Sequence, residues 1–222
     1  MPTDTLVAGW AAATPADFVF TLKAPRRITH DRRLRDVDEP LRAFCDAAST
    51  LKAKLGPLLF QLPPNFKKDA NRLADLLAML PPRTRAAFEF RHASWFDDVV
   101  YTLLRARDAA LCIADTEDGT TPDVPTATWG YLRLRDAGYS DDDLGRWLDV
   151  IARHGWPDAY VYFKHEETAS GPVLAERLLA RVRQSGSPTS GASIGRTRNG
   201  TRAAATSACG LRRARRSRLR ET

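Results

Sequence analysis

Hydrophobic positions recur along the chain with two different periods, and the two alternate. Six short runs, rich in aliphatic and aromatic residues and bounded by turn or cap signals, predict strands. They are "FVFTLKA" from Phe18, "GPLLFQLP" from Gly56, "RAAFEFR" from Arg85, "AALCIADT" from Ala109, "TWGYLRL" from Thr128 and "AYVYFKH" from Ala159. Helical spacing fills the intervals. Leu41, Phe44, Ala48, Leu51 and Leu55 form one apolar face, with Pro40 suited to a first turn and Gly56 to a stop. Leu73, Leu76, Leu77 and Leu80 form a second, closed by Pro81 and Pro82. Ser94 with Asp97 predicts the start of a third, carrying Val99, Val100, Leu103 and Leu104 inward. Ser140 with Asp143 opens a fourth with Leu144, Trp147, Leu148 and Ile151, and a fifth carries Leu174, Leu178, Leu179 and Val182. Ahead of the first strand, Leu6 and Trp10 fit the end of a helix.

Strand alternating with helix implies an α/β fold with a parallel sheet flanked by helices. Each strand ends in a polar residue: Lys23, Gln61, Glu89 with Arg91, Asp115, Arg133 and Lys164. An open sheet concentrates its chemistry at one switch point, whereas a TIM-barrel-like (β/α) barrel collects residues from many strands around one mouth, so the even distribution favours the barrel. About six of eight strand–helix units are legible, and two are expected to be absent from the amino end. Residues 1–184 thus read as a partial barrel domain. From Ser185 the chain loses all periodicity, and 185–222 reads as an Arg-rich, low-complexity, disordered tail.

Charge sharpens that boundary. The formal net charge of +7 looks like a nucleic-acid signal until it is divided along the chain. Residues 185–222 hold nine Arg, no Lys and one acid, Glu221, a balance of +8, which leaves 25 basic and 26 acidic residues, or −1, for residues 1–184. Cys45, Cys112 and Cys209 show neither CxxC nor Cys/His ligand spacing, so no disulfide framework or structural zinc site is predicted. With no signal-peptide pattern and no membrane-length apolar run, a reduced cytoplasmic setting is expected.

The stretch "FEFRHASWF", Phe88 to Phe96, gathers most of the candidate chemistry. Phe88 and Phe90 are expected to face the helices, with Glu89 and Arg91 on the barrel axis and His92 opening the loop above. An internal Glu89–Arg91 ion pair is the plain alternative. Lys23, Arg91, Arg133 and Lys164, with Gln61, would hold a small anionic or phosphorylated ligand, because Arg offers a planar fork for phosphate or carboxylate. Glu89 or Asp115 would serve as general base and His30 or His92 as proton carrier. A second reading gives His30, Glu89, His92, Asp115 and His165 to a divalent metal in a hydrolase or isomerase, although no HxH or HExxH spacing supports it. A third makes the barrel a non-catalytic partner- or nucleic-acid-binding module, weakly supported because residues 1–184 carry no positive balance. Gln61 to Pro64 reads as a strand exit, Trp95 as a lid on the adjacent helix, Cys112 as a buried inert thiol and His154 as a helix-end cation.

"FVFTLKAPRRITH", "KLGPLLFQLPPNF", "FEFRHASWF", "CIADT" and "YLRLR", in this order, resemble the YecE-like family of barrel proteins, known as domain of unknown function 72. The resemblance spans about residues 3–183. It implies a TIM-barrel-like, cytosolic protein with no established reaction or cofactor. Family members begin with "GTSGW"-like and "EINSTFY"-like strands, which are lacking here, and end the last strand "YFNN" where this chain reads "YFKH".

Overall fold

The structure, a computed structural model, describes residues 3–117, 119–136, 138–163, 170–184 and 201–203. In chain order the elements are α1 (Asp4–Ala12), β1 (Phe20–Lys23), α2 (Asp38–Ser49), β2 (Leu55–Gln61), α3 (Ala70–Met79), β3 (Ala86–Glu89), α4 (Asp98–Ala106), β4 (Ala110–Leu111) and β5 (Ile113–Thr116). There follow β6 (Gly119–Thr120), β7 (Gly130–Leu134), α5 (Asp141–Arg153), β8 (Ala159–Phe163), α6 (Ser170–Gln184) and β9 (Thr201–Ala203). All six predicted strands form, the fourth as the consecutive pair β4 and β5.

Two ladders, β1-β2-β3-β4 and β6-β5-β7-β8-β9, are parallel throughout except for the β5–β6 hairpin. They run into one another at Cys112, between β4 and β5, whose N–H donates to Phe88 O at 2.9 Å. Among the described residues the curved array does not close into a complete barrel. Among the described residues β1 pairs only with β2. Instead, the hydroxyls of Thr21 on β1 and Tyr162 on β8 hydrogen-bond across the interior.

Strand alternation sends residues to two faces. Outward, Leu58, Phe60, Phe88 and Leu111 bury against Phe44, Leu73, Leu76 and Leu104 of α2, α3 and α4. Ile113, Leu132 and Val161 bury against α5 and α6. Phe60 and Phe88 stack across the β2–β3 ladder, ring centroids 5.1 Å apart. Full burial of each such side chain stabilises by roughly 1.5–3 kcal/mol. The inner face is filled by Leu59, Ala87, Ala110, Cys112, Trp129, Tyr131, Tyr160 and Tyr162, which leaves the strand carboxyl ends for polar groups.

Local chemistry sets the element ends. The predicted capping box of α5 forms both ways, Asp143 N to Ser140 Oγ at 3.2 Å and Ser140 N to Asp143 Oδ2 at 2.7 Å. The Lys54 ammonium donates to Ala11 O (2.6 Å) and Thr14 O (2.7 Å), closing the carboxyl end of α1. Two expectations shift. Gly56 does not stop α2, which ends at Ser49. It lies inside β2, where a Cβ would fall 2.5 Å from Val19 Cγ1 and 2.9 Å from Phe20 O, so it permits the close approach of β1. The third helix starts after Ser94, because Asp97 is the actual N-cap, accepting from Val99 N at 2.9 Å, while Ser94 belongs to a short 3₁₀ turn, Ala93–Trp95. That later start turns Val99 outward, 54% exposed.

The tail read as disordered lies outside the described residues except for β9, which pairs in parallel with β8. Among the described residues no helix is long and apolar enough to cross a membrane.

Candidate functional site at the strand carboxyl ends

Glu89 ends β3 in the same phase as inward Ala87, and its side chain is 1% exposed. A carboxylate so buried is tolerated only with charged or hydrogen-bonding partners. It has two. Arg91 Nε donates to Oε1 at 3.0 Å, and Arg133 Nη1 pairs with Oε2. Arg133 also donates to Gln61 Oε1 (3.1 Å), which accepts from Lys23 Nζ (3.0 Å). Side chains from β1, β2, β3 and β7 therefore join in one polar chain, Lys23–Gln61–Arg133–Glu89–Arg91. Burial pulls the Arg133 pKa down, but the Glu89 carboxylate more than offsets it and holds the group above its ordinary value. Arg133 is permanently cationic.

Above this floor opens a cavity of about 570 Å³, lined by Glu89, Phe90, Arg91, Phe96, Thr116 and Arg135 among others. Arg91 is 33% exposed, against 15% for Arg133. Arg91 spends only Nε on Glu89, and the Arg135 guanidinium has no hydrogen-bond or ion-pair partner among the described residues. Two guanidinium groups are thus free to meet a ligand. Arg135 escaped the sequence reading, yet it lies two residues beyond Arg133 and shares its inward phase.

His30 occupies a π-helical turn, Arg27–Asp31, that follows β1. Such turns recur at functional sites. Its pKa is held below the ordinary 6.5 by burial first, then by Arg26, Lys23 and Arg91, with Asp31 opposing, so it is neutral at pH 7. His92 is placed differently. Its Nδ1 accepts from Ser94 N–H at 3.2 Å and lies 2.9 Å from Ser94 Oγ, which accepts from Lys68 N at 2.8 Å. This imidazole folds the loop that carries it. Trp95 is fully buried, donating to Phe66 O at 2.7 Å and stacking on Phe90 at 4.7 Å. It thereby ties the segments that carry Phe66 and Phe90 to one another.

Asp115 departs furthest from expectation. Cys112 and Ala114 take the inner phase, so Ile113 and Asp115 face outward. Its carboxylate accepts from Thr120 Oγ1 (2.5 Å) and Tyr139 OH (2.6 Å), beside a separate cavity of about 350 Å³ under α5 lined also by Asp136, Asp143 and Trp147. It therefore does not join Glu89. Among the described residues no three His, Cys, Asp or Glu side chains group closely enough to hold a metal ion. Lys164, His165 and Cys209 lie outside the described residues. Burial, then Glu89, pushes the Cys112 thiol pKa up, consistent with an inert sulfur.

Relatives share this frame. The chain is 31% identical over 217 residues to UPF0759 protein YecE of Escherichia coli strain K12, a match covering 83% of this chain and 79% of that protein. Its fold is similar to a DUF72 family protein from Thermotoga maritima (TM-score 0.69, 22% identity, covering 84% of this chain and 81% of that one). It is likewise similar to one from Enterococcus faecalis (TM-score 0.68, 17% identity, covering 82% and 85%). The fold is therefore TIM-barrel-like, with its strand ladder open in the described residues. The model of the family described as "Protein of unknown function DUF72" matches residues 1–197, and the chain belongs to that family.

Proposed function

We propose that the carboxyl face of the strand array binds a small anionic ligand, a carboxylate or phosphorylated molecule, between Arg91 and Arg135. The observation that carries this reading is the charge at the cavity. Arg91 and Arg135 line it, and the buried carboxylate of Glu89 is already neutralised by Arg133, which is joined through Gln61 to Lys23. Glu89 acts as an anchor that fixes the guanidinium of Arg91, and a fixed planar fork binds phosphate or carboxylate bidentately with little loss of side-chain freedom. Glu117, which also lines the cavity, limits the excess positive charge and disfavours long polyanions. Phe96 supplies an apolar surface for the uncharged part of the ligand.

Calorimetric titration of the full chain with inorganic phosphate and with a sugar phosphate tests the reading. Both are expected to bind, the sugar phosphate more tightly, and Arg91→Ala or Arg135→Ala is expected to weaken each by about tenfold or more, the usual worth of a charged hydrogen bond. Equal binding by wild type and both variants would overturn the assignment.

A further inference from the structure

Both signs of charge line the cavity of about 570 Å³ without meeting. Arg91, Arg135 and Glu117 are all part of its wall. Elsewhere carboxylates close onto the guanidinium groups beside them, Asp158 onto Arg85 at 2.9 Å and Asp69 onto Arg72 at 2.9 Å. Glu117 does not. Its carboxylate makes no hydrogen bond or ion pair with either arginine or with any other described residue. Glu89, the other carboxylate of the wall, is taken up by Arg91 and Arg133. The fold holds the unmatched charges in place. Glu117 lies in the turn between β5 and β6, a hairpin pinned at its base by Thr121 N to Ala114 O (2.9 Å), Ala114 N to Thr121 Oγ1 (3.2 Å) and Thr120 Oγ1 to Asp115 Oδ1 (2.5 Å). Across the turn itself, Thr116 Oγ1 donates to Gly119 O at 3.0 Å. The backbone N–H of Arg135 donates to Asp115 O at 2.9 Å, so the segments that carry Glu117 and Arg135 are fixed to one another.

We infer that the ligand of this cavity is a zwitterion, whose anionic group meets Arg91 and Arg135 while an ammonium group on the same small molecule meets Glu117. The inference rests on the anion-site reading above and names the class of molecule which that site takes. An ammonium brings three N–H donors and a full positive charge to a carboxylate that has no other partner, whereas a hydroxyl brings one weaker donor. A purely anionic ligand gains the two arginines but lies beside an unmatched negative charge. A zwitterion satisfies both signs, and Glu117 thereby discriminates between the two classes. Because the hairpin and Arg91 are tied down before the ligand arrives, little of this gain is lost to ordering the site.

Calorimetric titration of the full chain with aminoethyl phosphate, hydroxyethyl phosphate and inorganic phosphate tests the inference, since the two esters differ only in an ammonium against a hydroxyl. Wild type is expected to bind aminoethyl phosphate about fivefold more tightly than hydroxyethyl phosphate, the upper worth of a solvent-exposed ion pair. Glu117→Gln should abolish that preference and, having lost a negative charge, should bind inorganic phosphate more tightly than wild type does. A uniform weakening of all three ligands in Glu117→Gln would mark a structural role for the side chain and overturn the inference. So would a preference for the ammonium that survives the substitution. Equal affinity of wild type for the two esters, with inorganic phosphate bound and weakened by Arg135→Ala, overturns the zwitterion and leaves the anion site standing. Absence of binding by all three overturns the anion-site reading, and the zwitterion with it.

Discussion

Glu89 and Asp115 both sit at the carboxyl ends of strand runs, and the fold treats them in opposite ways. Glu89 faces inward, is almost wholly buried and is held by Arg91 and Arg133. Asp115 faces outward, and hydroxyls of Thr120 and Tyr139 satisfy it. A single step in strand phase separates an ion-paired anchor beneath a cationic cavity from a carboxylate that ties a hairpin to a loop. The charge of a residue says less about its role than the face on which the pleat places it.

The largest way to break this comparison is to remove the anchor. Glu89→Ala leaves Arg133 buried and uncompensated, and is expected to lower unfolding free energy by about 3–5 kcal/mol in urea titrations. Replacing Glu89 and Arg133 together by apolar residues of similar volume should recover much of that loss, since the penalty belongs to the orphaned charge. Asp115→Ala should lower stability by about 1–3 kcal/mol, because the buried part of Tyr139 loses its acceptor, and leave phosphate affinity unchanged. An equal fall in affinity for the two variants would erase the distinction. At the amino end of α5, Ser140→Ala is expected to cost about 1 kcal/mol with no effect on Glu89, as thermal melting can show.

The smallest effect concerns pH. Because the folded pKa of His30 lies below its ordinary 6.5, the unfolded chain takes up a proton first as pH falls. Stability tied to this residue is therefore full above about pH 7 and declines as pH drops through 6.5 toward the folded pKa. His30→Gln should flatten that segment of the stability–pH curve. A slope unaltered by the substitution would show that the cations around His30 exert no such bias.

Much of the architecture is legible in hydrophobic period alone. The strand runs and the amphipathic faces of α2, α3, α5 and α6 follow from spacing, and Ser140 with Asp143 fixes one helix start at atomic detail. The inward set Lys23, Gln61, Glu89, Arg91 and Arg133 follows as well, because each shares the inner phase of its strand end. What stayed hidden depended on contacts made by residues distant in sequence. Asp115 was placed by its terminal position, although Ile113, two residues earlier, already marks its phase as outward. His92 and Ser94 bind one another and Lys68 N, a loop arrangement with no periodic signature. Trp95 gains its role from Phe66, far back in the chain, and Arg135 from a cavity that no single segment builds.

The account turns on two guanidinium groups sharing one anion above a neutralised carboxylate. A crystal structure of the full chain at a phosphate concentration that saturates binding in solution tests this most directly. The expected result is a phosphate between Arg91 and Arg135, within hydrogen-bond distance of both, with the Glu89–Arg133 pair intact below it. A phosphate bound beside Asp115 and α5, or an Arg135 side chain turned away from the cavity while phosphate is bound elsewhere, would contradict it.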